Sequence, residues 1–406
     1  MRVRVKGLTV ILVAFVLALT VPSAMPANAQ VDVETIASYA VVEYPDRINF
    51  TLELESREQI TDIRLNYRVE RDSFVDVVCE SVAGYDADTK SASWTWDMYT
   101  TGNLPPGTVV EYWWKISTGS GNYHFTQPQK VAFDDSRYQW QEISEGNLSI
   151  YWYRGDLAFA GELMETARVA LIQLEDDMGA YLARPVNIYI YGSSEDLQGA
   201  MLYVQEWAGG LAFTGYGVVA IGIAPSNIDW GKRAMVHELA HLVTHQMTNN
   251  PYNSIPVWLN EGISMYAEGE MEEFSESYLR RAAANNDLIS VQSLASPFSS
   301  DADITYLSYA QSYSLVEYLI SQHGSQKMGE LLYTFSLGST YDGAFMNVFG
   351  FDIDGLDTAW QAWVKEKYSA SSAQRMAVLP SFMAVLLAVL MASSAVKSCR
   401  KKRLAV

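Results

Sequence analysis

His237-Glu238-Leu239-Ala240-His241 lies inside Lys232 to Met247, a run without proline or glycine and rich in helix-forming residues. Four residues turn an α-helix through about 400°, so the two imidazoles project from one face, about one turn apart. That spacing lets both reach a single zinc ion at about 2.0–2.1 Å. Glu238 stands beside the first imidazole, within reach of a water on such an ion.

Two histidines leave a catalytic zinc short of its usual three protein ligands. The next stretch, Pro256-Val257-Trp258-Leu259-Asn260-Glu261-Gly262, supplies a candidate. The turn-forming Asn249-Asn250-Pro251 lies between, so one helix can end and a second return past the metal with Glu261 facing it. Ile263 to Glu268 continues that second helix. Glu268 follows Glu261 by seven residues, on the same face, where it can accept a hydrogen bond from a ligand histidine and fix its tautomer. His245 continues the first histidine face, about 6 Å beyond His241 along the axis, so it reads as a supporting or packing residue. His124 and His323 read as structural or exposed.

Together, His237-Glu238-x-x-His241 and Asn260-Glu261 at this separation resemble the gluzincin metallopeptidases. The gap is similar to that of the thermolysin family. Trp258-Leu259-Asn260-Glu261-Gly262 is closer to the membrane aminopeptidases, and residues 148–368 most resemble the peptidase MA-like family of bacterial exported proteins. The resemblance implies zinc ligands His237, His241 and Glu261, one Zn2+ per chain, and Glu238 as general base in peptide-bond hydrolysis. Tyr309, in Leu307-Ser308-Tyr309-Ala310-Gln311, takes a place like that of the aminopeptidases' transition-state tyrosine, without the Lys-Gly that follows it there. Tyr306 and Tyr313 are the alternatives. Gluzincins lay substrate along a sheet edge, and Gly217 to Ile223 is the strand expected to serve. Endopeptidase and aminopeptidase action are both compatible with this pattern.

Working outward, a strand at Leu148 to Tyr153, a helix at Ala158 to Met178 and strands at Val186 to Tyr191 and Gly217 to Ile223 precede a mainly helical pattern to about Tyr368. That order predicts an α+β gluzincin-like catalytic domain over residues 146–370. Before it, alternating segments at Ile48 to Glu55, Asp62 to Glu70, Ser91 to Met98 and Val109 to Thr118 are separated by turns such as Gly84-Tyr85-Asp86 and Pro105-Pro106-Gly107. They predict an all-β sandwich domain, Ig/FnIII-like, over residues 30–135. Trp94, Trp96, Tyr112, Trp113 and Trp114 read as its core and rim rather than a carbohydrate-binding face. Asp134-Asp135-Ser136-Arg137 reads as a linker. Asn49-Phe50-Thr51 and Asn147-Leu148-Ser149 fit the glycosylation sequon.

Both ends are basic and apolar. Arg2, Arg4 and Lys6 precede an apolar run from Leu8 to Val21, and Ala27-Asn28-Ala29 closes it. Residues 1–29 thus read as a secretory signal peptide, with an uncleaved anchor as the alternative. Met376 to Val396 carries no charge and suffices to span a bilayer core of about 30 Å. Lys397, Arg400, Lys401, Lys402 and Arg403 follow, which makes residues 376–396 a transmembrane helix and 397–406 a basic cytoplasmic tail. The expected place is the cell membrane, single-pass, with the catalytic domain extracellular. The two cysteines, Cys79 and Cys399, fall on opposite sides of that span and cannot pair within one chain. Cys79, after Val77-Val78, is expected to be a buried thiol.

The chain of 406 residues is 49% hydrophobic and 18% charged, which excludes general disorder. Its net charge of −19 argues against a nucleic-acid partner. The expected activity is that of a membrane-anchored extracellular zinc metallopeptidase acting on a peptide or protein substrate. The competing expectation is a catalytically degenerate surface-binding protein, adhesin- or receptor-like, that keeps a zinc site.

Overall fold

The structure, a computed structural model, describes residues 33–102, 104–202 and 209–368. The expected signal peptide at 1–29, transmembrane helix at 376–396 and basic tail at 397–406 lie outside the described residues. Among the described residues, no helix is long and apolar enough to cross a membrane.

The chain begins with two mainly antiparallel sheets that share one core. In the first, β1 (Val33–Glu43) pairs β2 (Arg47–Ser56). The second is built around β3 (Ile60–Val69), with β4 (Cys79–Val82) on its outer edge. β5 (Gly84–Asp86) and β6 (Ser91–Asp97) return to the first sheet, giving the order β1-β2-β6-β5. A single turn, α1 (Met98–Thr101), leads to β7 (Thr108–Thr118), which pairs β3, β8 (Tyr123–Phe125) and β9 (Gln129–Phe133). β7 alternates buried and half-buried residues along its length, as period-two side chains require when one face meets a core. Phe50, Leu65, Tyr112 and Trp114 meet in that core, and Trp94 stacks on Tyr67. Trp94, Trp96 and Trp114 are therefore packed there, and Trp113 lies half-buried on the other face of β7.

A third sheet has the order β10-β11-β12-β14-β13. Its strands are β10 (Gln141–Glu145), β11 (Leu148–Trp152), β12 (Val186–Tyr191), β13 (Gly210–Phe213) and β14 (Val218–Gly222). β11, β12 and β14 are parallel, and both edge strands run antiparallel to them. All of β14 is buried, as a parallel strand covered on both faces must be. On one face lie α2 (Leu157–Met178) and α4 (Ile228–Thr248), with the short α3 (Ser194–Gln198) between them in sequence. On the other face, Tyr189, Tyr191, Val218 and Ala220 join the core of the N-terminal sheets.

The remaining helices, α5 (Val257–Ala267), α6 (Glu273–Asn285), α7 (Ala302–His323), α8 (Ser325–Ser336), α9 (Tyr341–Phe349) and a final one over 353–368 (α10), close around Trp258, Phe345 and Trp360.

Four expectations change. Gly84 to Asp86, expected as a turn, is the edge strand β5, paired with Ser91 to Ser93 of β6. Asp134 to Arg137 is no loose linker. The Asp135 side chain is fully buried, accepts hydrogen bonds from Arg137 at 2.7–2.8 Å and from the Tyr191 hydroxyl at 3.1 Å, and so ties the N-terminal sheets to the third. Cys79 is exposed, because β4 is an edge strand and its apolar neighbours Val77 and Val78 face outward. Gly217 to Ile223 contains β14, an interior strand, and the edge beside it is the four-residue β13.

Candidate metal centre

The helix α4 has three stripes, set by its 3.6-residue period. Met235, Leu239 and Leu242 face the third sheet and α2. Val236, Ala240 and Val243 face the helical core. Each such Met, Leu or Val side chain, once buried, stabilises the helix's position by about 1.5–3 kcal/mol. The third stripe, His237, Glu238 and His241, is left facing a cleft.

Helix α5 runs past that stripe. Trp258, Leu259 and Ile263 are fully buried and anchor it. Gly262 allows α5 to approach α7, since a Cβ there would lie 2.4 Å from the Ser312 carbonyl oxygen. Glu261 thereby meets the histidines. Its Oε2 lies 3.4 Å from His237 Nε2 and 3.8 Å from His241 Nε2. One donor atom from each of the three falls within 4.8 Å of the others. A tetrahedral ion about 2.0–2.1 Å from each donor would set them about 3.3 Å apart, so this donor set fits zinc in number, type and spacing.

The outer nitrogens are also engaged. His237 Nδ1 lies 2.8 Å from Glu268 Oε1, and His241 Nδ1 lies 3.0 Å from Ser264 Oγ. Glu261, Ser264 and Glu268 stand at i, i+3 and i+7 on α5, so one helical face supplies a donor and two orienting partners. Glu268 is where the heptad spacing placed it. Ser264 was legible only as the i+3 neighbour of Glu261. Arg233, one turn before His237, was missed as well. It bonds Glu268 at 3.2 Å and also pairs with Glu272.

Charge at the centre favours a cation. Burial opposes a proton on His237, but Glu261 and Glu268 on its two sides outweigh burial and lift it to about 10. Burial and the neighbouring His237 charge hold His241 below its ordinary value. Glu238 is raised to about 7, first by burial and then by the Glu261 carboxylate, against the lowering pull of His237 and a hydrogen bond from the Ala212 backbone. Gly210 of β13 also lies close, since a Cβ there would sit 3.1 Å from Glu238 Cγ. The edge strand therefore borders Glu238, beside a cleft of about 610 Å³ that His237, Glu268, Trp230 and Met265 help to line.

Tyr309 projects from α7 into the same electrostatic surroundings. Burial raises it to about 12, and the charges of Glu261 and Glu238 add to the shift. The alternatives lie elsewhere: Tyr313 packs against Tyr266, and Tyr306 against Phe274 and Tyr278. His245 points away from the three donors. Its Nε2 lies 3.6 Å from Asp72 Oδ2, where Arg184 and Asn249 also bond that carboxylate.

The Peptidase MA superfamily model matches residues 166–366. Among solved structures, a mutant of a two-domain M1 zinc metallopeptidase bound to L-arginine aligns at 13% identity and a TM-score of 0.35, over 79% of this chain and 90% of that one. Legionella pneumophila aminopeptidase A in complex with aspartic acid aligns at 12% identity and a TM-score of 0.35, over 81% of this chain and 50% of that one. A carbohydrate-binding module of family 56 aligns at 14% identity and a TM-score of 0.17, over 23% of this chain and 95% of that one. No curated protein matches the sequence. Through residues 166–366, which hold α4, α5 and the three converging donors, the chain belongs to the peptidase MA superfamily.

Proposed function

We propose that this chain is a zinc-dependent peptidase, with His237, His241 and Glu261 as the metal ligands and Glu238 as the general base. The convergence of three donors within 4.8 Å, with the Glu238 carboxylate beside them and outside the donor set, carries the reading. Zinc held by these residues would supply Lewis acidity toward a carbonyl oxygen and bring a water's pKa down toward 7.

The chain's own groups do the rest. Glu238, beside the donors and bordered by β13, takes a proton from the attacking water and returns it to the leaving amine. Tyr309 keeps its proton at neutral pH, so its hydroxyl can donate to the oxyanion that develops on the substrate. Among the described residues β13 pairs only with β14, and its other edge offers main-chain hydrogen bonds to an extended peptide. Residues 146–370 would form the catalytic unit and 30–135 the sandwich before it. In the same reading, residues 1–29 export the chain and 376–396 hold it in the cell membrane, with the catalytic part outside.

The test is metal content together with peptide cleavage on the full chain. About one zinc per chain and new amino termini that vanish with a chelator are expected. Zinc without cleavage would favour a surface-binding protein, and neither would overturn the reading.

A further inference from the structure

Helix α6 begins at the rim of the cleft. Glu272 and Ser275 help to line it, and Phe274 between them turns outward, 54% exposed. Its ring meets Tyr278 edge-on at 5.2 Å and Tyr306 of α7 at 5.1 Å, and those two tyrosines complete a triangle at 5.6 Å. Tyr306 is 45% exposed. Rings that served only to pack α6 on α7 would hide more of their surface, and contiguous exposed aromatics mark contact sites.

The cluster is held in place before any partner arrives. The Tyr278 hydroxyl donates to Asp303 at 2.9 Å, and the Arg281 guanidinium lies 4.7 Å from the same ring. A platform fixed in this way needs little ordering on binding. It also adjoins the cleft, through Glu272 and Ser275 on α6. Tyr306 precedes Tyr309 by three residues on α7, so both lie on one helical face, about 4.5 Å apart along the axis.

We propose that Phe274, Tyr278 and Tyr306 form an outlying subsite of the cleft, which takes an aromatic or large aliphatic side chain of an extended polypeptide at a distance from the bond to be cut. This rests on the peptidase reading for its substrate class. Its place beside a cleft that is also bordered by β13, a sheet edge suited to extended chains, selects a polypeptide as the occupant.

The experiment measures binding, so it does not depend on turnover. In the full chain carrying Glu238→Gln, two fluorescent peptides of about twelve residues, long enough to extend about 40 Å, are compared. One has phenylalanine flanking its centre on both sides, and the other has serine. The phenylalanine peptide should bind about five- to tenfold more tightly. Tyr306→Ala, and separately Phe274→Glu, should remove that difference. Equal binding of the two peptides overturns the proposal, as does a difference that survives both substitutions. The peptide comparison needs neither substitution, so it stands even if one of them misfolds. Hydrolysis by the unsubstituted chain without any phenylalanine preference would sink the subsite and spare the peptidase reading. The preference without hydrolysis would do the reverse.

Discussion

Glu268 Oε1 lies 2.8 Å from His237 Nδ1. Arg233 holds the other Glu268 oxygen at 3.2 Å. With zinc held at the site, the imidazole would donate from Nδ1 to Glu268 and keep its Nε2 lone pair for the metal. Partners of this kind typically contribute a factor of about 10–100 to metal affinity. Glu268→Ala should weaken zinc binding by about that factor in a chelator competition at fixed pH, and Glu268→Gln by less. Unchanged affinity in Glu268→Ala would remove this role.

Glu238 is near the three donors but is not one of them. Glu238→Gln keeps the side chain's shape and removes its basicity. Zinc content should stay at the unsubstituted level, while kcat on a cleaved peptide falls by about 10²- to 10⁴-fold. Turnover at the original rate would assign the base elsewhere.

Tyr309 is the tyrosine of its helix that senses the charges of both Glu261 and Glu238. Tyr309→Phe should lower kcat by about 10²- to 10³-fold with little change in KM or metal content. Tyr313 packs on Tyr266, and Tyr313→Phe should leave kcat unchanged. Equal effects of the two substitutions would separate Tyr309 from the chemistry.

How much of this could be read from the chain depended on whether a local period carried it. The helical period set His237 with His241, and Glu261 with Glu268, on single faces, while the turn at Asn249 to Pro251 and the resemblance to gluzincins brought the two faces together. The edge strand is hard to read because Gly210 to Phe213 is short and shows no alternation, whereas the longer apolar run Gly217 to Ile223 reads readily as a strand. Asp135 escaped because charged residues between two regions read as solvated, whereas here a guanidinium and a tyrosine hydroxyl satisfy the carboxylate inside the core. Cys79 misled in the opposite sense. Valines beside it suggest burial, but burial on an edge strand depends on a neighbouring strand that local sequence does not reveal.

Asp72 couples the loop after β3 to the far end of the metal-binding helix. Its carboxylate bonds Arg184 and Asn249 and lies 3.6 Å from His245 Nε2. The hydrogen bond from Arg184 chiefly holds Asp72 below its ordinary value, against partial desolvation. Its contribution is therefore complete above the unfolded value of about 3.9 and is lost as pH falls through the lower folded value. His245 is held below its ordinary value by burial first, with Arg184 also opposing its charge. Unfolding then takes up a proton below about pH 6.5, so His245 adds to the loss of stability as pH falls. Asp72→Asn should cost about 1 kcal/mol at neutral pH, a value kept small by partial exposure. It should also flatten the fall in stability below about pH 4. Denaturant unfolding across that range is the measurement, and an unaltered pH slope would contradict the assignment.

Gly262 follows Glu261, and its lack of a side chain sets the distance between α5 and α7. A methyl group at this position would meet the Ser312 carbonyl oxygen at 2.4 Å and the Val316 side chain at 2.8 Å. The first of these is backbone inside a buried helix and cannot swing aside. Gly262→Ala would therefore push α5 outward. Overpacking of this kind costs about 1–3 kcal/mol, even though alanine is the better helix former. The displacement would also carry Glu261 away from His237 and His241, whose own positions are fixed by α4. Gly262→Ala should thus lower both unfolding stability and zinc affinity. A variant that loses stability but binds zinc as tightly as before would show that Glu261 does not depend on this contact for its position.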